Sequence, residues 1–418
     1  MNNIRTRLPW LFGGHYKMER FGLSFLALCI AMCIVIGMVA NTRRLDLKEV
    51  LGNQVMYTTQ FVMSRSHSVG DVQSINVSED GTRCLILIRW QDMTNVAIDA
   101  SDYQLFLTGS NLSQEFTDLQ CQPVASVYMF GNSGYMAIYL VDTNGFSSQI
   151  LDLTIRSNND FLSPDGPISD ARDGSFVNYD QARIFFNPGA AGRTTVDCLE
   201  DANMTAYSIY DSVVTRPRED EIRKQLDADL EQMQQAQAQI SEAESLVTMY
   251  DLQVPAAPSM IAGDRIVEGE DGTLELETSV VLPGGYDFDW RNGSVKEGYL
   301  ADVMADADME NETQFFSMKS QEAANAATFA GVVSKTKWYY ADGSEFTPSS
   351  SPNESSTAIQ LASSATSALT EAWTAFYSAK YDYQVTQMGT LLSLESTARD
   401  MTQHYTMTDT THGVLTLY

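Results

Sequence analysis

EIRKQLDADLEQMQQAQAQISEAESLVTMY, residues 221–250, repeats its apolar positions every seven residues. Leu226, Met233, Ile240 and Val247 hold one seam position, and Ile222, Asp229, Ala236, Ala243 and Tyr250 hold the second. A seam that recurs at a mean of about 3.5 residues lets one helix lie along another. The pattern predicts a helix over 216–254. Pro217 fits its first turn, where a missing N–H is tolerated, and Pro255 stops it.

The partner for that seam lies far downstream. Ala358, Ala365, Ala372 and Ala379 recur every seven residues, with Ala362, Leu369, Phe376 and Tyr383 four positions on. This predicts a second helix within 351–405, about 70 Å long if unbroken, with Gly389 as the place where it can break. Alanine lets helix axes approach closely, and Ala236 and Ala243 offer matching small positions on the first helix. Two helices separated by an intervening segment most simply pair antiparallel, as a coiled-coil hairpin.

Residues 255–350 then form an α+β insertion, expected at the tip of the hairpin. Residues 272–281 alternate polar and apolar, as a strand does. Tyr286, Phe288 and Trp290 share one face, opposite Asp287 and Asp289. Such a stripe is either a core face or, at the end of a stalk, a surface that recognises a partner, so these three are the interaction candidates. Asn292-Gly293 predicts a hairpin into 294–300. Residues 303–335 lean helical, and Trp338-Tyr339-Tyr340 before Asp342-Gly343 predicts another hairpin. Within 406–418, the run GVLTLY is expected to return a strand to the first half of the chain.

That first half reads differently. Between 71 and 215, short β-branched and aromatic runs at 72–77, 84–90, 103–108, 124–130, 135–141, 149–155 and 182–186 alternate with turn signals such as Asp80-Gly81 and Asn144-Gly145. This spacing predicts a β-sandwich-like domain. Poor alternation over 83–89 predicts a strand buried on both faces. The loop NPGAAG (187–192) lacks the lysine and spacing of a phosphate-binding loop and reads as a hairpin turn.

At the N-terminal end, FGLSFLALCIAMCIVIGMVA (21–40) has no charge, proline or amide. At about 1.5 Å per residue it spans about 30 Å, enough for a transmembrane helix. It is longer than a cleaved signal peptide's apolar core and lacks a good small-residue cleavage site. Arg5, Arg7, Lys17 and Arg20 precede it, against Arg43, Arg44 and Lys48 after it, which favours residues 1–20 as a cytoplasmic tail. Residues 41–70 become a stem, and the bulk of the chain is expected outside the cytoplasm. After the span, 22 basic residues face 53 acidic ones, a net charge of about −31 at pH 7. Such a surface repels nucleic acid and stays soluble.

No motif carries chemistry. Asp302, Asp306, Asp308, Glu310 and Glu312 suggest calcium, but an EF-hand starting at Asp306 needs glycine where Asn311 stands and glutamate where Ser317 stands. A solvated acidic helix face is the better reading, with calcium through another geometry left open. His15, His67, His404 and His412 form no metal motif, and Cys84, Cys121 and Cys198 have no CxxC spacing. An odd number of cysteines permits at most one disulfide among these three, and their pairing stays open. No cofactor is expected, and the chain is not expected to be an enzyme. The expected function is a membrane-anchored structural or interaction component of a bacterial cell-envelope assembly, of secretion or conjugation type, binding other envelope proteins or itself. The alternatives are a surface adhesin or ligand-binding protein, and an envelope hydrolase with a site assembled across the fold.

Overall fold

The computed structural model describes residues 25–39, 53–111, 115–157, 162–163, 166–167, 180–201, 204–269, 272–348, 357–403, 408–409 and 415–417. They form a mixed α+β protein with antiparallel sheets and long helices, divided into one unit of Met1–Asn203 with Thr408–Tyr418 and another of Met204–Met407. The expected tail, the residues flanking the apolar run, His15, His404 and His412 lie outside the described residues. Of the run itself, 25–39 form a helix, α1, with its large apolar side chains half or more exposed. No described helix is long and apolar enough to cross a membrane.

The first unit holds β1 (Gln60–Val62), β2 (Val69–Val77), β3 (Arg83–Trp90), β4 (Tyr103–Ser110), β5 (Phe116–Thr117), β6 (Val124–Met129), β7 (Tyr135–Val141), β8 (Ile150–Ser157), β9 (Leu162–Ser163), β10 (Gly166–Pro167) and β11 (Asp180–Phe186). One sheet runs β1-β2-β3-β7-β6 and the other β11-β8-β4, with β5 on the end of β4; β9 and β10 pair alone. The two larger sheets share one core, in which Val77, Ile86, Ile138, Leu105, Leu153 and Ile184 are fully buried. All seven predicted strands are present. β3 is buried on both faces over Cys84–Ile88, as its lack of alternation implies. β1 falls inside the expected stem and pairs with β2, so the stem's C-terminal half belongs to this unit. The 187–192 loop is a turn but not a hairpin. Asn187 N–H donates to the Val55 carbonyl at 2.7 Å, and beyond it Thr194 bridges alongside Asn76.

In the second unit, α2 (Ala206–Tyr210) leads through a π-helical turn (Asp211–Thr215) into α3 (Arg216–Met249). The unit therefore begins ahead of the predicted helix start. After β12 (Arg265–Glu268) and β13 (Leu274–Glu277), which pair, come α4 (Leu300–Asp306), α5 (Glu312–Asn325), α6 (Phe329–Val333) and the hairpin of β14 (Trp338–Tyr339) with β15 (Glu345–Phe346). α7 (Thr357–Tyr381), a π-helical turn (Asp382–Gln387) and α8 (Met388–Gln403) complete it.

The seam forms. Leu226, Met233, Ala236, Ala243 and Val247 on α3 are buried with Ala365, Ala372 and Ala379 on α7. Ile240 is half-buried, and Ala358, in the first turn of α7, is exposed. The pairing is antiparallel. Asp229 lies within range of the charge of Asp382, whereas Glu219, earlier in α3, and Glu395, later in α8, both reach Tyr299. Helical regularity is interrupted at 382–387 and not at Gly389. That glycine lies within α8, where a Cβ would come 3.1 Å from the Tyr286 ring.

Two expectations are corrected. The insertion does not stand at the tip: Val295 N–H meets Glu219 near the start of α3, and Leu252, past its end, bridges to Tyr340. Insertion and helices therefore share one core. The Asn292-Gly293 hairpin is also absent, because backbone groups that a strand ladder would use are taken by carboxylates. Glu219 accepts from Val295, and Glu395 accepts from Tyr299 and Leu300 at 2.5 and 2.8 Å.

Beyond α8 the chain returns to the first unit. β16 (Thr408–Asp409) adds antiparallel to β6, and β17 (Leu415–Leu417) adds parallel to β4. The predicted C-terminal strand is thus present, and the second unit is inserted in the sequence of the first.

Candidate functional site

The first unit carries a cleft of about 1060 Å³ on the outward face of β4, β8 and β11. Strand alternation builds its floor. Inward residues of these strands fill the core, leaving Phe106 and Thr108, Asp152 and Thr154, and Gln181 and Arg183 facing out. Residues 116–122 form the wall. They are held by Gln149, whose Nε2 donates to the Asp118 carbonyl at 2.7 Å and whose Oε1 accepts from Gln120 N–H at 3.0 Å. Gly109 permits this approach, since a Cβ there would lie 2.5 Å from Gln149 Nε2 and 2.6 Å from the Thr117 carbonyl oxygen.

Two of the charged groups in the cleft, Arg183 and Asp152, form an ion pair. Arg183 Nε donates to both oxygens of Asp152 at 3.1 and 3.0 Å, and Nη2 also donates to Oδ2. Asp152 is 2% exposed, and its hydrogen bonds to Arg183 hold the guanidinium's proton affinity above the ordinary value. The same guanidinium lies 5.7 Å from the Phe116 ring and 5.0 Å from that of Phe185. Arg156 sits 4.3 Å over Phe106. Phe116 is 72% exposed. Cys121 lines the cleft as a thiol rather than a thiolate, because burial, with Asp142 nearby, pushes it up to about 12. Aromatic rings, a half-exposed guanidinium and threonine hydroxyls can hold a flat apolar group by one edge.

The second unit holds its polar groups inside. Lys380 is fully buried and donates to Asp264 Oδ2 at 2.7 Å, the Val280 carbonyl at 2.8 Å, the Met260 carbonyl at 2.9 Å and Thr278 Oγ1 at 3.1 Å. Burial lowers its proton affinity, and Asp264 opposes that effect. Arg399 joins Glu395 to Glu312, and Arg223 joins Glu219 to Tyr299. These pairs fasten the insertion to the helices.

The sequence-predicted candidates fall within this same core. Tyr286 and Trp290 are 6% and 4% exposed, and Phe288 is half-buried. Tyr286 packs on Phe315, Phe288 on Tyr299, and Trp290 Nε1 donates to the Tyr383 hydroxyl at 2.9 Å. Tyr286 and Trp290 thus serve as core residues, while Phe288 keeps part of its ring accessible. Asp302, Asp306, Asp308 and Glu310 are exposed, while Glu312 pairs with Arg399. Among the described residues no cluster of three or more histidine, cysteine, aspartate or glutamate side chains could hold a metal ion. Cys84, Cys121 and Cys198 are buried, and none of them is in a disulfide. The cleft residues were missed by the sequence reading. Their signal is a polar, charged or aromatic side chain at every second position: Asp152, Thr154 and Arg156 on β8, and Gln181, Arg183 and Phe185 on β11. No protein-family model, curated protein or solved structure matches the chain.

Proposed function

We propose that this protein is a membrane-anchored, non-enzymatic component of a bacterial cell-envelope assembly, with its two folded units outside the cytoplasm. The observation that carries the reading is α1. Phe25, Leu28, Met32 and Met38 are between 58% and 65% exposed on one continuous apolar helix, which calls for a lipid or protein environment. The charge of about −31 beyond the apolar run suits an extracytoplasmic surface. The cleft favours a second reading, a ligand-binding protein acting alone.

Cross-linking in membranes followed by pull-down under mild detergent tests both readings. Discrete cross-linked products with other envelope proteins or a symmetric oligomer support the assembly role. A monomer without partners would overturn it in favour of the solitary binder. Protease added to intact, wall-stripped cells should digest the chain beyond Arg44, and full protection there would refute the orientation.

A further inference from the structure

We propose that Asp229 is a proton-operated latch on the α3–α7–α8 helix arrangement: closed while its carboxyl is neutral, and loosened when ionisation sets it against Asp382. Asp229 occupies a seam position in which every other member is apolar, and it is 5% exposed. Its Oδ2 is buried without a hydrogen-bond partner, a costly state for a carboxylate and a tolerable one for a neutral acid. α3 packs on the π-helical turn, whose first residue, Asp382, brings a second carboxylate within electrostatic range of Asp229.

Among the described residues, the cations near this turn are already engaged. Lys380 on α7 is spent on Asp264, Thr278 and two carbonyls. Arg291 pairs with Asp227 at 2.6 Å and lies over Trp290. Arg265 and Glu268 on β12, and Glu275 and Glu277 on β13, are exposed. On α8, Glu395 is taken by Arg399 and two backbone N–H groups. In the 211–215 turn, Asp211 pairs with Arg216 at 3.0 Å. The Tyr383 hydroxyl, adjacent to Asp382, accepts from Trp290.

Burial, reinforced by Asp382, pushes the Asp229 carboxyl from its ordinary 3.8 up to about 7. The folded state therefore holds this proton more tightly than the open chain. The stabilisation is complete below about pH 4 and is lost as the pH rises through about 7. Opening of the helices around Asp229 should increase on the order of tenfold or more between pH 5.5 and 8.

Hydrogen–deuterium exchange on the full-length chain, corrected for the intrinsic pH dependence of exchange, reads this directly in peptides covering 222–240 and 376–392. In the wild type those peptides should lose protection by that factor, while peptides of β3 and β7 stay unchanged. Asp229→Asn mimics the neutral acid and should give equal protection at both pH values. Asp382→Asn keeps the latch but removes the second charge, so Asp229 ionises more readily and the loss of protection should move to a lower pH. It serves if Asp229→Asn does not fold. Protection that is flat in the wild type, or a loss of the same size in Asp229→Asn, overturns the proposal.

Discussion

Ala365 and Ala372 are 3% and 4% exposed, on the face of α7 that meets α3. Leucine at either site adds three carbons where the helix axes leave no volume. Such overpacking typically destabilises by about 1–3 kcal/mol. Gln232, exposed on α3, should accept leucine with a change below about 0.5 kcal/mol. Thermal melts of the full chain and its variants compare the two cases, and equal melting for all three would refute a close-packed seam. This much is written in the sequence, because a heptad is a local rule that each residue obeys by itself. Lys380 is not legible that way. Its carboxylate partner lies 116 residues away, and nothing in the surrounding alanines announces a buried ammonium.

The elements show where local rules give way. Leu369, Phe376 and Tyr383 keep a spacing of seven, but the next buried members, Leu391 and Ala398, come one residue late. One inserted residue is what a π-helical turn accommodates, and it falls between Asp382 and Gln387. The slip was visible as a spacing of eight, whereas glycine's reputation as a breaker pointed to Gly389. The turn also frees groups that regular helix would use internally. Gln384, 1% exposed, accepts from Tyr286 N–H through its carbonyl at 3.0 Å and from Leu282 N–H through its side chain at 3.1 Å. Gln384→Met should therefore lower stability by about 1–3 kcal/mol by stranding the Leu282 N–H, while Gln384→Glu keeps an acceptor there. Chemical denaturation of both variants checks this. A methionine variant as stable as the wild type would remove the turn's anchoring role. The Asn292-Gly293 error has the same origin, since Glu219 and Glu395 come from helices far away in sequence. In the first unit, β-strands were legible but the cleft was not. Alternation says which side chains of β8 face outward, but not that β4 and β11 lie beside them.

At the scale of the whole molecule, the inserted second unit separates β11 from β16 and β17 by more than two hundred residues of sequence. Removing 408–418 should leave 204–407 folded while opening the edges of β6 and β4. Unpaired strand edges template association with other chains. The shortened protein should therefore elute as larger species in size-exclusion chromatography and lose protection in peptides of β4 and β6. A monodisperse product with native protection would show that the returning strands are dispensable.

Synthesis gives that return a further meaning. The ribosome delivers β1 to β11 first, then all of 204–407, and only afterwards the two strands that complete the sheets. Throughout that interval the nascent first unit is an unfinished sheet with two adhesive borders, whereas the second unit has every residue it needs as soon as 407 is made. Completion is thus recorded in the fold itself. A transcript broken or a ribosome stalled anywhere within the second unit yields a chain whose first unit advertises its own truncation to proteases and chaperones.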